Sequence, residues 1–155
     1  MTRKILKNIP RDSRYLAMEE QRDALNDGQD CALKSVAATT GIEYAKIRQA
    51  FTRKGRRLGD TTPRVMTRAV IEEAGFTIEV VDPRYFINRY QPVSHRTLMH
   101  VTTYHPDRYR HAWADGHSYI IFARRHAVGV VNGVVVDWAR GRSLRIREIW
   151  RIVKK

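Results

Sequence analysis

Apolar and polar positions along the chain divide it into two halves with different periods. In the first half the spacing is helical. The segment Ser13–Leu25 (SRYLAMEEQRDAL) is built of good helix formers, and Ser13 is its expected N-cap. A turn-rich NDGQD follows. The next segment opens with Asp30 as expected N-cap, sets Leu33, Val36 and Ala37 on one face, and stops at Gly41, where a left-handed C′ glycine belongs. A third helix is expected over Glu43–Arg53, with Tyr44, Ile47 and Phe51 on one stripe. After a basic loop, Thr62 as N-cap, Pro63 as first helical residue and Gly75 as stop frame a fourth.

From Phe76 the chain becomes strand-like, beginning with an alternating, β-branched segment. FTIEVVD reads as a strand ended at Asp82-Pro83, and HSYIIFA, HAVGVV and VVVDW read as three more. Asn132-Gly133 between the last two is a strong hairpin signal. LRIREIWRIV reads as a final strand, and a short helix is expected around Thr97–Tyr104 in the aromatic- and Arg-rich stretch 84–115. Residues 1–12 read as an extended basic arm. Helices followed by an antiparallel sheet make an α+β fold, and 155 residues suit a single domain over 1–155.

Composition narrows the function classes. With 43% hydrophobic residues the chain can bury a core. No apolar run approaches the roughly 18–20 residues of a membrane span, and the N-terminus lacks the apolar region of a secretory signal. One cysteine excludes an internal disulfide framework, so a reducing compartment is expected: the cytoplasm, or a host cytoplasm or virion if the chain is phage-encoded. The net charge is +13, and arginine (22) outnumbers lysine (7). Such a charge attracts polyanions and predicts non-specific nucleic-acid association. The loop cations Arg53, Lys54, Arg56 and Arg57 are the candidate anion patch; with Arg48 they would also serve a helix-turn-helix built from the third and fourth helices. All six histidines fall between residues 95 and 126, but no HExxH, helical i,i+4 pair or cysteine pair accompanies them, so neither metal nor cofactor is expected.

The candidate chemistry centres on Cys31. A thiol in the first turn of a helix faces unpaired N–H groups and the positive end of the dipole, both of which favour thiolate. A nucleophilic cysteine needs a base and a group to orient it. If Asn132-Gly133 are the turn residues, facing positions sum to 265, Val128 lies opposite Asp137, and His126 and Asp137 become diagonal neighbours on one face. A carboxylate there can hold the imidazole in one tautomer. His117, at the start of the preceding strand, is the alternative base.

The stretches DCALKSVAATTGIEY and HAVGVVNGVVVD resemble the papain-like cysteine peptidases, and most closely the branch that processes bacteriocin leaders, with its phage and bacterial relatives. The resemblance covers roughly residues 26–55 and 116–140. It implies a helical lobe packed on a C-terminal antiparallel sheet, with Cys31 as nucleophile, His126 as general base and Asp137 as orienter. It also implies a polypeptide substrate, which the positive charge would suit to an acidic sequence. Three positions depart from the family pattern. Leu25 stands where a glutamine oxyanion donor is usual, leaving Asn26 and Gln29 as nearby amides; Ala32 and Arg125 stand where glycines are common. The competing reading is a catalytically silent, basic, phage-type protein that binds a host factor or nucleic acid.

Overall fold

The computed structural model describes residues 10–25, 27–82, 115–139 and 146–155. Among these it is a mixed α+β structure with four helices and a five-stranded antiparallel sheet. The helices are α1 (Ser13–Leu25), α2 (Cys31–Thr40), α3 (Tyr44–Arg53) and α4 (Arg64–Glu73). The strands are β1 (Phe76–Val81), β2 (Ser118–Ala123), β3 (His126–Val131), β4 (Val134–Val136) and β5 (Glu148–Lys154). The sheet order is β1-β5-β2-β3-β4. The expected helix around Thr97–Tyr104, residues 1–9 of the basic arm, and the start of the last apolar run lie outside the described residues. No described helix is long and apolar enough to cross a membrane.

Helix faces follow their stripes. Leu33, Val36 and Ala37 of α2, and Tyr44, Ile47 and Phe51 of α3, are buried in one cluster with Val70 and Ile71 of α4. Ile120, Phe122, Ala127, Trp150 and Ile152 face that cluster from the sheet. The alternate residues Tyr119, Ile121, Val128, Val130 and Ile149 form a second buried cluster on the other face. This two-sided burial explains why β2 and β3 read as near-continuous apolar runs instead of alternating ones. Helices α3 and α4 thus use their apolar faces to pack on α2 and on each other, within a helical lobe.

Caps depart from expectation in three places. Asp12, not Ser13, caps α1: its Oδ1 accepts the Arg14 backbone N–H at 2.9 Å. Pro63, not Thr62, is the N-cap of α4, and Arg64 is its first residue. Asp30 occupies the N-cap of α2 but makes no side-chain cap bond. Its carboxylate instead accepts from Tyr44 Oη (2.5 Å) and pairs with Lys34 Nζ (3.2 Å), because charge-assisted and buried partners outcompete a backbone amide. The other end of α2 is as expected: Gly41 has φ 74° and its N–H reaches Ala37 O at 3.0 Å.

Two features of the sheet position the site. Asn132 (φ 48°) and Gly133 (φ 79°) make the tight turn of the β3–β4 hairpin, and Gly129 pairs with Val136, the register in which facing numbers sum to 265. Pairing ends there, one residue before Asp137 would face Val128. The second feature is Gly129 itself. A Cβ at this position would stand 3.3 Å from Ala38 Cβ and 3.4 Å from Ser35 Cα, so its hydrogen lets α2 lie directly on β3. Ser35 is four residues beyond Cys31, roughly 6 Å of helix, and Gly129 is three beyond His126, roughly 10 Å of strand. The close approach therefore brings the start of α2 level with the start of β3.

Candidate active site

Cys31, His126 and Asp137 line one cleft of about 210 Å³. Asp137 is almost wholly buried. Its Oδ2 meets His126 Nε2 at 2.7 Å and accepts the Ala139 N–H at 2.8 Å. That backbone bond fixes the carboxylate, and the carboxylate fixes the ring. Trp138 covers the imidazole with ring centroids 4.8 Å apart. Nε2 is committed to Asp137, which leaves Nδ1 for the Cys31 side chain, the ring's second hydrogen-bond partner.

Burial of the ring disfavours the imidazolium, but the hydrogen bonds to Asp137 and Cys31 and the nearby carboxylate charge of Asp137 outweigh it and raise the His126 pKa from 6.5 to about 9. At neutral pH the ring is therefore charged, the partner a thiolate requires. A raised pKa means that the charged ring stabilises the fold. This contribution is complete below pH 6.5 and is lost as pH rises through 9. Denaturant unfolding is expected to show stability falling across that window by on the order of 3 kcal/mol. In His126→Ala this part of the pH dependence should vanish; an unchanged slope would separate the ring from the carboxylate.

Around the cysteine lies a buried polar network. Lys34 Nζ, one turn after Cys31, sits between Glu19 Oε1 (3.1 Å) and Asp30 Oδ1 (3.2 Å) and 4.8 Å above the Tyr15 ring. Tyr15 Oη and Arg22 also donate to Glu19. Burial pushes the Glu19 pKa up, but bonds from Tyr15, Arg22 and Lys34 bring it down to about 2. These contacts tie α1 to the first turn of α2. Sequence reading missed Tyr15, Glu19, Lys34 and Trp138. The signals were there in the i,i+4 pairs Tyr15–Glu19 and Asp30–Lys34 and in the aromatic beside Asp137.

The loop in front of Cys31 is held from below. Asp27, fully buried, accepts from Arg56 Nη1 (2.9 Å), Arg48 Nη1 (3.0 Å), the Gly59 N–H (3.0 Å) and the Gln29 N–H (3.2 Å). Arg56 also donates to Gln29 O, Asp60 O and Thr62 Oγ1. Arg56 is therefore an internal strut, unavailable to an anion, and this corrects its placing in the basic patch. Lys54 is paired with Glu73. Arg53 and Arg57 remain exposed.

Of the oxyanion candidates, Gln29 is exposed and borders the cleft, while Asn26 lies outside the described residues. Leu25 lines a separate apolar groove between α1 and α3. The amides of Cys31, Ala32 and Leu33 precede the first backbone bond of α2, from Lys34 N to Asp30 O. His117 stands before β2, whose far end pairs with His126, and so lies roughly 20 Å along the sheet from the cleft. Its N–H bonds Asp115 and its ring meets Tyr119 edge-on. No group of three or more metal-ligating side chains occurs among the described residues. Comparison of the chain with family models, curated proteins and solved structures returns no match.

Proposed function

We propose that the protein is a papain-like cysteine peptidase or thiol acyl hydrolase. The observation that carries this reading is His126, held between the Cys31 side chain and the buried carboxylate of Asp137 at the wall of an open cleft. In this reading the Cys31 thiolate attacks a carbonyl carbon, forming a C–S bond while the carbonyl π electrons move to oxygen. In this reading the Cys31 N–H at the helix start and the Gln29 side chain, which borders the cleft, serve as donors to that oxyanion. As the tetrahedral intermediate collapses, the bond to the leaving amine or alcohol breaks and His126 supplies its proton. A water then attacks the thioester, gives its proton to His126, and releases the acid with Cys31 again a thiolate. Asp137 holds the ring in orientation throughout.

The nucleic-acid reading loses ground because Arg56 is internal and Lys54 is paired, which leaves two of its four loop cations unengaged. An activated acyl ester such as p-nitrophenyl acetate tests the proposal. One equivalent of p-nitrophenol per chain should appear in a burst, followed by slower turnover. Cys31→Ala should abolish the burst. A burst that survives Cys31→Ala, or no burst in the wild-type protein, would overturn the reading.

A further inference from the structure

The cleft holds a charge that its own residues do not answer. Its walls carry three carboxylates, and each is engaged: Glu19 with Lys34 and Arg22, Asp30 with Lys34, Asp137 with His126. The cations Arg22 and Lys34 are thereby taken up. Arg125 is the remainder. It lines the cleft, is exposed, directly precedes His126, and has no carboxylate paired with it among the described residues. It also holds an unfavourable backbone conformation, with φ 57° in the two-residue turn between β2 and β3. A left-handed conformation costs a branched or long side chain about 1–2 kcal/mol relative to the ordinary regions, and glycine almost nothing. An arginine in a backbone conformation that suits glycine, at a residue lining the cleft, points to a use for the side chain.

We propose that Arg125 is a specificity-determining residue that selects substrates carrying a carboxylate close to the carbonyl attacked by Cys31. The inference rests on the thiol-hydrolase reading for the identity of the reacting carbonyl; the recognition of an anion beside Cys31 is testable without it. A guanidinium fits a carboxylate in a bidentate way. Selection of an acidic group at this point is distinct from the diffuse attraction that a net charge of +13 exerts on any polyanion.

The probes are iodoacetate and iodoacetamide, which alkylate the same sulfur by the same displacement and differ by one negative charge. The ratio of their rate constants at Cys31 reads the local preference for an anion. At low salt this ratio should fall by about 3- to 10-fold in Arg125→Gly, remain near the wild-type value in Arg125→Lys, and fall further in Arg125→Glu. The wild-type preference should shrink in 0.5 M NaCl, because the group is exposed. Arg125→Gly should melt no lower than the wild type, since glycine relieves the turn, so a lowered ratio is not a folding defect. Arg124→Gly, in the same turn but off the cleft, should leave the ratio unchanged. An unchanged ratio in Arg125→Gly, or an equal fall in Arg124→Gly, overturns the proposal. Failure of the thiol-hydrolase reading would show separately, as alkylation indifferent to His126.

Discussion

Asp27→Ala is expected to destabilise the protein by about 3–5 kcal/mol, more than any single substitution at the cleft itself. The carboxylate is fully buried and neutralises two guanidinium groups, those of Arg48 and Arg56. Burial raises its pKa, but the bonds from Arg56, the Gln29 N–H and Arg48 hold it well below the usual carboxylate range. Alanine would leave the buried Arg56 without a counter-charge, Arg48 with only the more distant Asp30 (3.8 Å), and two backbone amides, those of Gln29 and Gly59, without an acceptor. The melting temperature should drop by about 10 °C or more. Because the depressed pKa makes the ionised form the stabilising one, wild-type stability should fall as pH drops below about 4, and the variant should lack that part of the acid sensitivity. A variant melting within a degree of the wild type would show that the network is not what holds the loop before Cys31.

Under the thiol-hydrolase reading, Asp137→Ala should have the largest effect on chemistry of any substitution outside Cys31 itself. Its carboxylate both orients the His126 ring and sustains its charge, so acyl transfer should fall by about 10²- to 10⁴-fold. Some stability should go too, about 1–3 kcal/mol, because the Ala139 N–H loses its acceptor. Asp137→Asn separates the two effects. The amide oxygen can still accept from Ala139, so the fold should hold, while the imidazolium loses its counter-charge and activity should remain low. Full activity in a folded Asp137→Asn protein would show that the negative charge of Asp137 is not needed to sustain the imidazolium.

The hairpin was the most legible part of the site. Asn132-Gly133 prescribes a turn with two positive φ angles, and that turn sets the register in which His126 and Asp137 approach each other. The helix C-terminus at Gly41 was equally plain, since glycine is the residue that takes the left-handed position at least cost. Legibility failed where a side chain had two possible partners and the decisive one was distant in sequence. Asp30 looks like an N-cap until Lys34 and Tyr44 are placed around it. Arg56 looks like part of a basic surface loop until Asp27, 29 residues earlier, is brought beneath it. The meeting of Cys31 with His126 was likewise not written in either motif. It depends on helix α2 lying against β3 at Gly129, a contact between segments almost a hundred residues apart.

That meeting is the central claim, and the rate of Cys31 alkylation by iodoacetamide at pH 6–7 tests it most directly. The wild-type protein, His126→Ala and His117→Ala would be labelled under pseudo-first-order conditions and the single cysteine followed by mass. A charged His126 beside the sulfur predicts that His126→Ala slows labelling by about tenfold or more, while His117→Ala stays within about twofold of wild type. Equal labelling rates in all three proteins would contradict the pairing of Cys31 with His126.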